Sequence, residues 1–137
     1  MEIEIASSRT IKEIQDEFNH KFPYLTLQFF GLSSVATNLF SKESRIEDHS
    51  QTLEHLYVLD QVGKVNVNGH VKVDTLENQF LDEFQIPVQL YRKSGNLWLQ
   101  TIETNHWTLS EQNRHGEEMD KSLDEPQEDF DQFREQR

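Results

Sequence analysis

Apolar positions recur at the same helical spacing in two separate stretches of this chain. Residues 14–22 read Ile-Gln-Asp-Glu-Phe-Asn-His-Lys-Phe, and residues 76–84 read Leu-Glu-Asn-Gln-Phe-Leu-Asp-Glu-Phe. Ile14, Phe18 and Phe22, like Leu76, Phe80 and Phe84, fall at i, i+4 and i+8, one stripe of an amphipathic helix. Alternating runs flank both stretches: Ile3-Glu4-Ile5 and Val71-Lys72-Val73 before them, Leu25-Thr26-Leu27-Gln28-Phe29 and Val88-Gln89-Leu90-Tyr91 after them. Alternation sends every second side chain to one face, the mark of a half-buried strand. The pattern predicts a strand–helix–strand unit that occurs twice.

Local signals set the boundaries. Thr10-x-x-Glu13 is a capping-box spacing, in which the hydroxyl accepts from a free helix N–H and the carboxylate reaches back. The first helix should stop near Phe22-Pro23, because the residue before proline leaves the helical region. Residues 31–57 are mostly polar, with an apolar contact expected around Leu39-Phe40 and a short helix after Thr52 carrying Leu53 and Leu56. Asn68-Gly69, between Val65-Asn66-Val67 and Val71-Lys72-Val73, predicts a hairpin with a type I′ turn. Asp74-x-x-Glu77 should cap the second helix. Ser94-Gly95 predicts a second hairpin in which Tyr91 faces Trp98, with Leu90, Leu97 and Leu99 on the opposite, core-facing side. Thr108-Leu109-Ser110-Glu111 is another capping box, opening a short helix through Asn113 and echoing Thr52-Leu53-Glu54.

Charge changes this picture at the C-terminal end. The chain has 137 residues, 34% hydrophobic, and a formal net charge of −12. Residues 116–137 hold nine acids and three bases, so half of the net charge lies in the last stretch. An acidic, disordered tail is expected there, with Phe130 and Phe133 as its two aromatic residues. Both parts of the chain are acidic, which argues against binding nucleic-acid backbone or anionic membrane surfaces through bulk charge. Cysteine is absent, which excludes disulfides, thiol catalysis and cysteine-based zinc sites. No basic-then-apolar leader opens the sequence and no apolar run reaches membrane-spanning length, so a cytoplasmic protein is expected.

The candidate chemistry is sparse. None of the six histidines stands at i, i+4 from another. His49 and His55, with Asp48 and Glu54 beside them, read as loop residues rather than as metal ligands. His106, beside Trp107, could act as an acid–base group, with His70 and the helix acids as further candidates, or could simply precede a capped helix. The acid pairs Asp16-Glu17 and Asp82-Glu83 diverge by about 100° around a helix, so neither is a catalytic dyad. The isolated glycines form no phosphate loop or dinucleotide fingerprint. No catalytic residue, metal or cofactor is assigned. The constellation that stands out is Tyr91, Lys93 and Trp98, rimmed by Arg92 and Gln100, since aromatic residues and arginine are enriched where proteins bind proteins.

Residues Val65 to Asn113, with Thr75-Leu76-Glu77-Asn78 at a helix start and Thr108-Leu109-Ser110-Glu111 after two strands, resemble the ubiquitin-like β-grasp layout. The closing apolar strand of that family is missing: Arg114-His115-Gly116-Glu117 follows instead. The chain ends Glu135-Gln136-Arg137 without Gly-Gly, so the resemblance does not imply conjugation. The block Arg92-Lys93-Ser94-Gly95 with Trp98-Leu99 and Trp107-Thr108-Leu109 also resembles small bacterial α+β proteins of unknown function.

Together these readings predict an α+β domain over residues 1–115, built from two repeats (about 1–57 and 63–115), followed by the acidic tail 116–137. Tandem β-α-β units suggest a ferredoxin-like sandwich, with two β-grasp-like halves sharing one core as the alternative. Ile3, Ile5, Ile14, Phe18, Phe22, Leu27, Val71, Leu76, Phe80, Phe84, Leu90 and Leu99 form the expected core. The expected function is a non-enzymatic protein-interaction module that binds a protein partner, or a second copy of itself, through the aromatic hairpin face or a sheet edge. The alternatives are a small enzyme or ligand binder near His106, and an acidic decoy that takes basic proteins on its tail.

Overall fold

A computed structural model describes residues 1–34, 40 and 42–124. Strand β1 (Glu2–Ile5) leads into helix α1 (Ile11–Lys21) and strand β2 (Leu25–Phe29). A short helix α2 (Leu53–Leu56) precedes β3 (Gly63–Asn66) and helix α3 (Val73–Phe84). Strands β4 (Val88–Ser94) and β5 (Leu97–Gln100) form a hairpin, and helix α4 (Leu109–Asp124) follows. The architecture is α+β with two small antiparallel sheets: β1 with β3, and β2-β4-β5 with β4 in the centre. This differs from the single sheet expected of a ferredoxin-like sandwich. β1 and β3 run antiparallel and, among the described residues, pair only with each other.

Helix α1 forms where its signals place it. Thr10 Oγ1 accepts from the Glu13 N–H at 3.1 Å and the Thr10 N–H donates to the Glu13 carboxylate at 3.0 Å. The helix closes on Phe22, whose N–H donates to the Phe18 carbonyl at 2.9 Å before Pro23. The same reciprocal box joins Thr108 and Glu111 at the start of α4. Thr52 heads α2 without a side-chain cap. Helix α3 starts at Val73, not after Asp74, and has no side-chain cap. It ends on Gln85 in the left-handed conformation, φ 54°. There the Gln85 and Ile86 N–H groups return to the carbonyls of Leu81 and Phe80.

The first expected hairpin does not form. Val71 and Val73 are not a returning strand, because Val73 is the first residue of α3. Positive φ among the described residues occurs at Gln85 and Gly95 only, so Asn68-Gly69 is not a type I′ turn. Gly69 instead lies close against the start of α4. A Cβ there would meet the Ser110 side chain, with its Cβ at 3.3 Å, and the Gly69 carbonyl accepts from the Ser110 N–H at 3.0 Å. The hairpin that the β-grasp resemblance requires over 65–73 is therefore replaced by a docking contact with α4.

Both halves dock their second helix by the same backbone pattern. Ile11 and Leu53 donate to Gln51 and Arg9 in the first half; Val73 and Leu109 donate to Trp107 and Val71 in the second. The strands then join the halves: Ile3 lies opposite Val65, and Leu27 opposite Leu90. The core fills the space between, with Ile3, Ile5, Ile14, Phe18, Leu27, Leu76, Phe80 and Leu90 fully enclosed and Phe29 set edge-on to Phe80. Tyr57 belongs to it too, its hydroxyl donating to the Phe30 carbonyl at 2.7 Å. Two expected core residues differ. Val71 is only partly buried against the core, and Leu99 is 43% exposed.

Helix α4 runs through Gly116 to Asp124 instead of stopping near Asn113. The remainder of the expected tail, 125–137, lies outside the described residues, as does Leu39. The glycine permits the helix to lie close to the sheet: a Cβ on Gly116 would sit 2.8 Å from the Tyr24 Cβ and 3.3 Å from the Arg92 Cγ. Alanine is favoured over glycine in a helix interior by about 1 kcal/mol, yet a contact this short to a Cβ cannot be relieved by side-chain rotation. Gly116→Ala should therefore lower stability, by roughly 1–3 kcal/mol, in chemical denaturation. A gain in stability would show that α4 does not pack at this distance.

Candidate functional site

The three-stranded sheet has two unlike faces. Leu25, Leu27, Phe29, Val88 and Leu90 turn toward the core. Arg92, Ser94, Leu97 and Leu99 continue that face outward, since Leu25 pairs with Arg92, Arg92 with Leu99 and Ser94 with Leu97. Thr26, Gln28, Gln89, Tyr91, Lys93, Trp98 and Gln100 alternate onto the other face. The expected grouping of Tyr91, Lys93, Trp98 and Gln100 on one face thus follows from the register. Their partners do not. The hairpin loop is Gly95-Asn96, one residue further along than expected, with Gly95 at φ 63°. Trp98 therefore lies opposite Lys93, and Tyr91 opposite Gln100.

Each residue of the expected patch has a definite place. Tyr91 is buried, and Arg45 comes near its side chain; Arg45 arrives because it bridges to Phe30 at the end of β2. Trp98 is 40% exposed. Gln100 donates to the Phe40 carbonyl at 3.2 Å, and Phe40 packs edge-on against Phe30. Lys93 Nζ stands 3.9 Å from an Asp120 carboxylate oxygen. Arg92 leaves the patch altogether. Its odd–even position sends it beneath α4, where it donates to Gln112 at 2.7 Å and lies 5.8 Å from the centre of the Trp107 ring. Burial there pulls its guanidinium below the ordinary value.

The apolar exposure lies on β5. Leu97, Trp98 and Leu99 are 60%, 40% and 43% exposed, and Ile102 just beyond is 55% exposed. No described strand pairs with the outer edge of β5. The direction of its backbone groups follows from Leu90, whose N–H donates to Glu77 at 2.8 Å and whose carbonyl accepts from Thr101 at 3.0 Å. Both groups point away from β2, so Leu27 and Leu90 are a non-hydrogen-bonded pair, and the ladder alternates from there. Arg92 with Leu99 and Ser94 with Leu97 then exchange bonds, and the N–H and C=O groups of Trp98 and Gln100 face the open edge.

Side chains from the helices hold the other strand edges. Gln15 donates to the Leu27 carbonyl at 2.7 Å and Asn19 to that of Leu25 at 3.0 Å. Glu77, at the matching place on α3, accepts from Leu90 instead. Its carboxyl lines a groove of about 170 Å³ with Leu81, Pro87 and Val88. Burial pushes its pKa up to about 7, the Leu90 N–H opposes that and Asp74 adds to it.

The histidines do not converge. His106, His55 and His70 are exposed. His49 bonds the Ile46 carbonyl through Nε2 at 3.1 Å. No group of three or more histidine or acidic side chains among the described residues is placed to hold a metal ion. Beside His106, an open groove of about 540 Å³ is lined by Trp107, Glu111, Arg114, His115 and Glu118. His115 meets Trp107 edge-on, and burial, then the Arg92 charge, lower its pKa. No described helix is long and apolar enough to cross a membrane. No family model, curated protein or solved structure matches the chain.

Sequence reasoning missed the exposure of Leu97 and Leu99, which looked like core continuation. The available signal was Arg92: a charged residue on the core-facing side of β4 marks where the core stops.

Glu77 yields a prediction with a definite sign. Its folded pKa of about 7 lies above the ordinary 4.5. The favourable, protonated form is fully present below 4.5, and its contribution is lost as pH rises through about 7. Glu77→Gln keeps an acceptor for Leu90 without a charge. It should flatten stability between pH 5 and 8 and raise it at pH 8 by about 1–2 kcal/mol. Urea denaturation at both values checks this; an unchanged slope would mean that the carboxyl is well solvated.

Proposed function

We propose that this chain is a non-enzymatic protein-interaction module that adds an extended segment of a partner protein to the open edge of β5. The observation that carries the reading is the exposure of every residue of β5, three of them large and apolar. Soluble domains ordinarily blunt such an edge with charge, proline or a covering element, and Leu97-Trp98-Leu99-Gln100 has no charge or proline. Burying the half-exposed apolar side chains on a partner contributes about 1 kcal/mol each, and Trp98 and Gln100 supply the main-chain bonds of strand addition.

The two halves are, in this reading, copies of one β-α-β unit with a trailing helix. The matching bonds at Thr10–Thr52 and Lys72–Thr108 support this. A cytoplasmic setting belongs to the same proposal. The enzyme reading has less behind it, because His106 is exposed and the groove beside it is lined by other residues.

Leu97→Lys/Leu99→Lys tests the edge directly. Both side chains are already largely exposed, so the variant should keep the native circular dichroism and melting temperature. In affinity capture from the native host, a partner held by the unaltered chain should be held at least about tenfold less by the variant, the loss of 1.4 kcal/mol or more. Equal retention would place binding elsewhere. A folded homodimer abolished by the same pair would make a second copy the occupant.

A further inference from the structure

Beside Trp98, on the face away from the core, lies a groove of about 240 Å³. Helix α1 walls it with Gln15, Asp16 and Asn19, β2 floors it with Thr26 and Gln28, and His49 closes one end. Acceptors outnumber donors among its polar atoms. The amide nitrogens of Gln15 and Asn19 are engaged on strand carbonyls, and among the described residues their oxygens are the unused ends. Gln28 and Thr26 each carry a donor as well as an acceptor, and Gln28 Oε1, enclosed and without a hydrogen-bond partner among the described residues, is an acceptor that a ligand reaches only when the side chain turns. His49 bonds a carbonyl through Nε2, so that nitrogen is the donor and Nδ1 is left as an acceptor. Asp16 adds a carboxylate, and Lys12, 2.9 Å from it, is its exposed partner on the helix. An indole stands beside these acceptors.

A site offering acceptors and an aromatic ring, in a chain of net charge −12, selects a group that only donates and is positively charged. Guanidinium meets that description better than ammonium: it is planar, carries five N–H donors in a fixed fork and stacks on indole. We propose that the groove binds the guanidinium of an arginine from the partner protein. This rests on the edge reading above, because the Trp98 backbone faces the edge where the partner strand would lie while its side chain lines the groove.

N-acetyl-arginine-amide, too short to add a strand, separates the two ideas. Titrated into the full chain, it should shift the NMR signals of the Trp98 indole and the Gln28 side-chain amide, with affinity near the weak limit of about 1–10 mM. The citrulline analogue, alike in shape but uncharged, should shift them at least tenfold more weakly. So should the lysine analogue. Trp98→Leu and Gln28→Leu, each confirmed as folded by its spectrum, should each weaken the arginine response several-fold. Equal responses to arginine and citrulline, equal responses to arginine and lysine, or no response to arginine would overturn the assignment. Neither the success nor the failure of this titration bears on the lysine-variant test of the β5 edge. If capture survives Leu97→Lys/Leu99→Lys while arginine still binds, the edge reading fails, and the groove remains a guanidinium site whose arginine does not come with a strand on the β5 edge.

Discussion

The pairing of Leu27 with Leu90 is the constraint on which the rest of the structure depends. These two residues face each other across β2 and β4, one from each half of the chain. Because neither pair member uses its backbone groups on the other, those groups must be satisfied outward. Gln15 reaches the Leu27 carbonyl, Glu77 reaches the Leu90 N–H, and Thr101 reaches the Leu90 carbonyl. The first two contacts fix α1 and α3 against the sheet; the third turns the chain out of β5 toward α4. Both leucine side chains meanwhile are fully buried. One backbone register thus sets the helix positions, the core and the direction in which every later strand group points.

The same register explains why the core stops short of β5. From Leu90 the core-facing side of β4 runs to Arg92 and Ser94. Arg92 cannot be covered by apolar packing without a partner for its charge. Helix α4 covers it instead with Gln112, itself held by Thr104, and Trp107, just before the helix, adds the face of its ring. α4 therefore lies over β4, and Gly116 brings it close. No described element is left to cover Leu97 and Leu99. Their exposure follows from a polar docking arrangement one strand away.

Much of the fold was legible because it is written locally. The i, i+4, i+8 stripes of α1 and α3, the Thr10–Glu13 and Thr108–Glu111 boxes and the β4–β5 hairpin need only neighbours in sequence. Val71-Lys72-Val73 misled because three residues cannot distinguish alternation from the first turn of a helix, and Val73 is buried in either. Asn68-Gly69 misled because glycine serves close approach as well as positive φ. The site was legible as a face but not as a surface. Period two places Tyr91, Lys93, Trp98 and Gln100 together, yet which of them is covered depends on Arg45 and Phe40, which arrive from a distant segment. The groove beside Trp98 joins residues of α1, β2, β5 and the His49 loop, and strand order alone brings those together.

Backbone hydrogen exchange in the free, monomeric chain measures the openness of β5 most directly. If the outer edge is unpaired, the Trp98 and Gln100 amides exchange at rates near those of exposed loops, while the Leu97 and Leu99 amides, bonded to β4, exchange slowly. Alternating fast and slow amides along four residues is the expected result. Slow exchange at all four would mean that the edge is already covered, and would contradict the account.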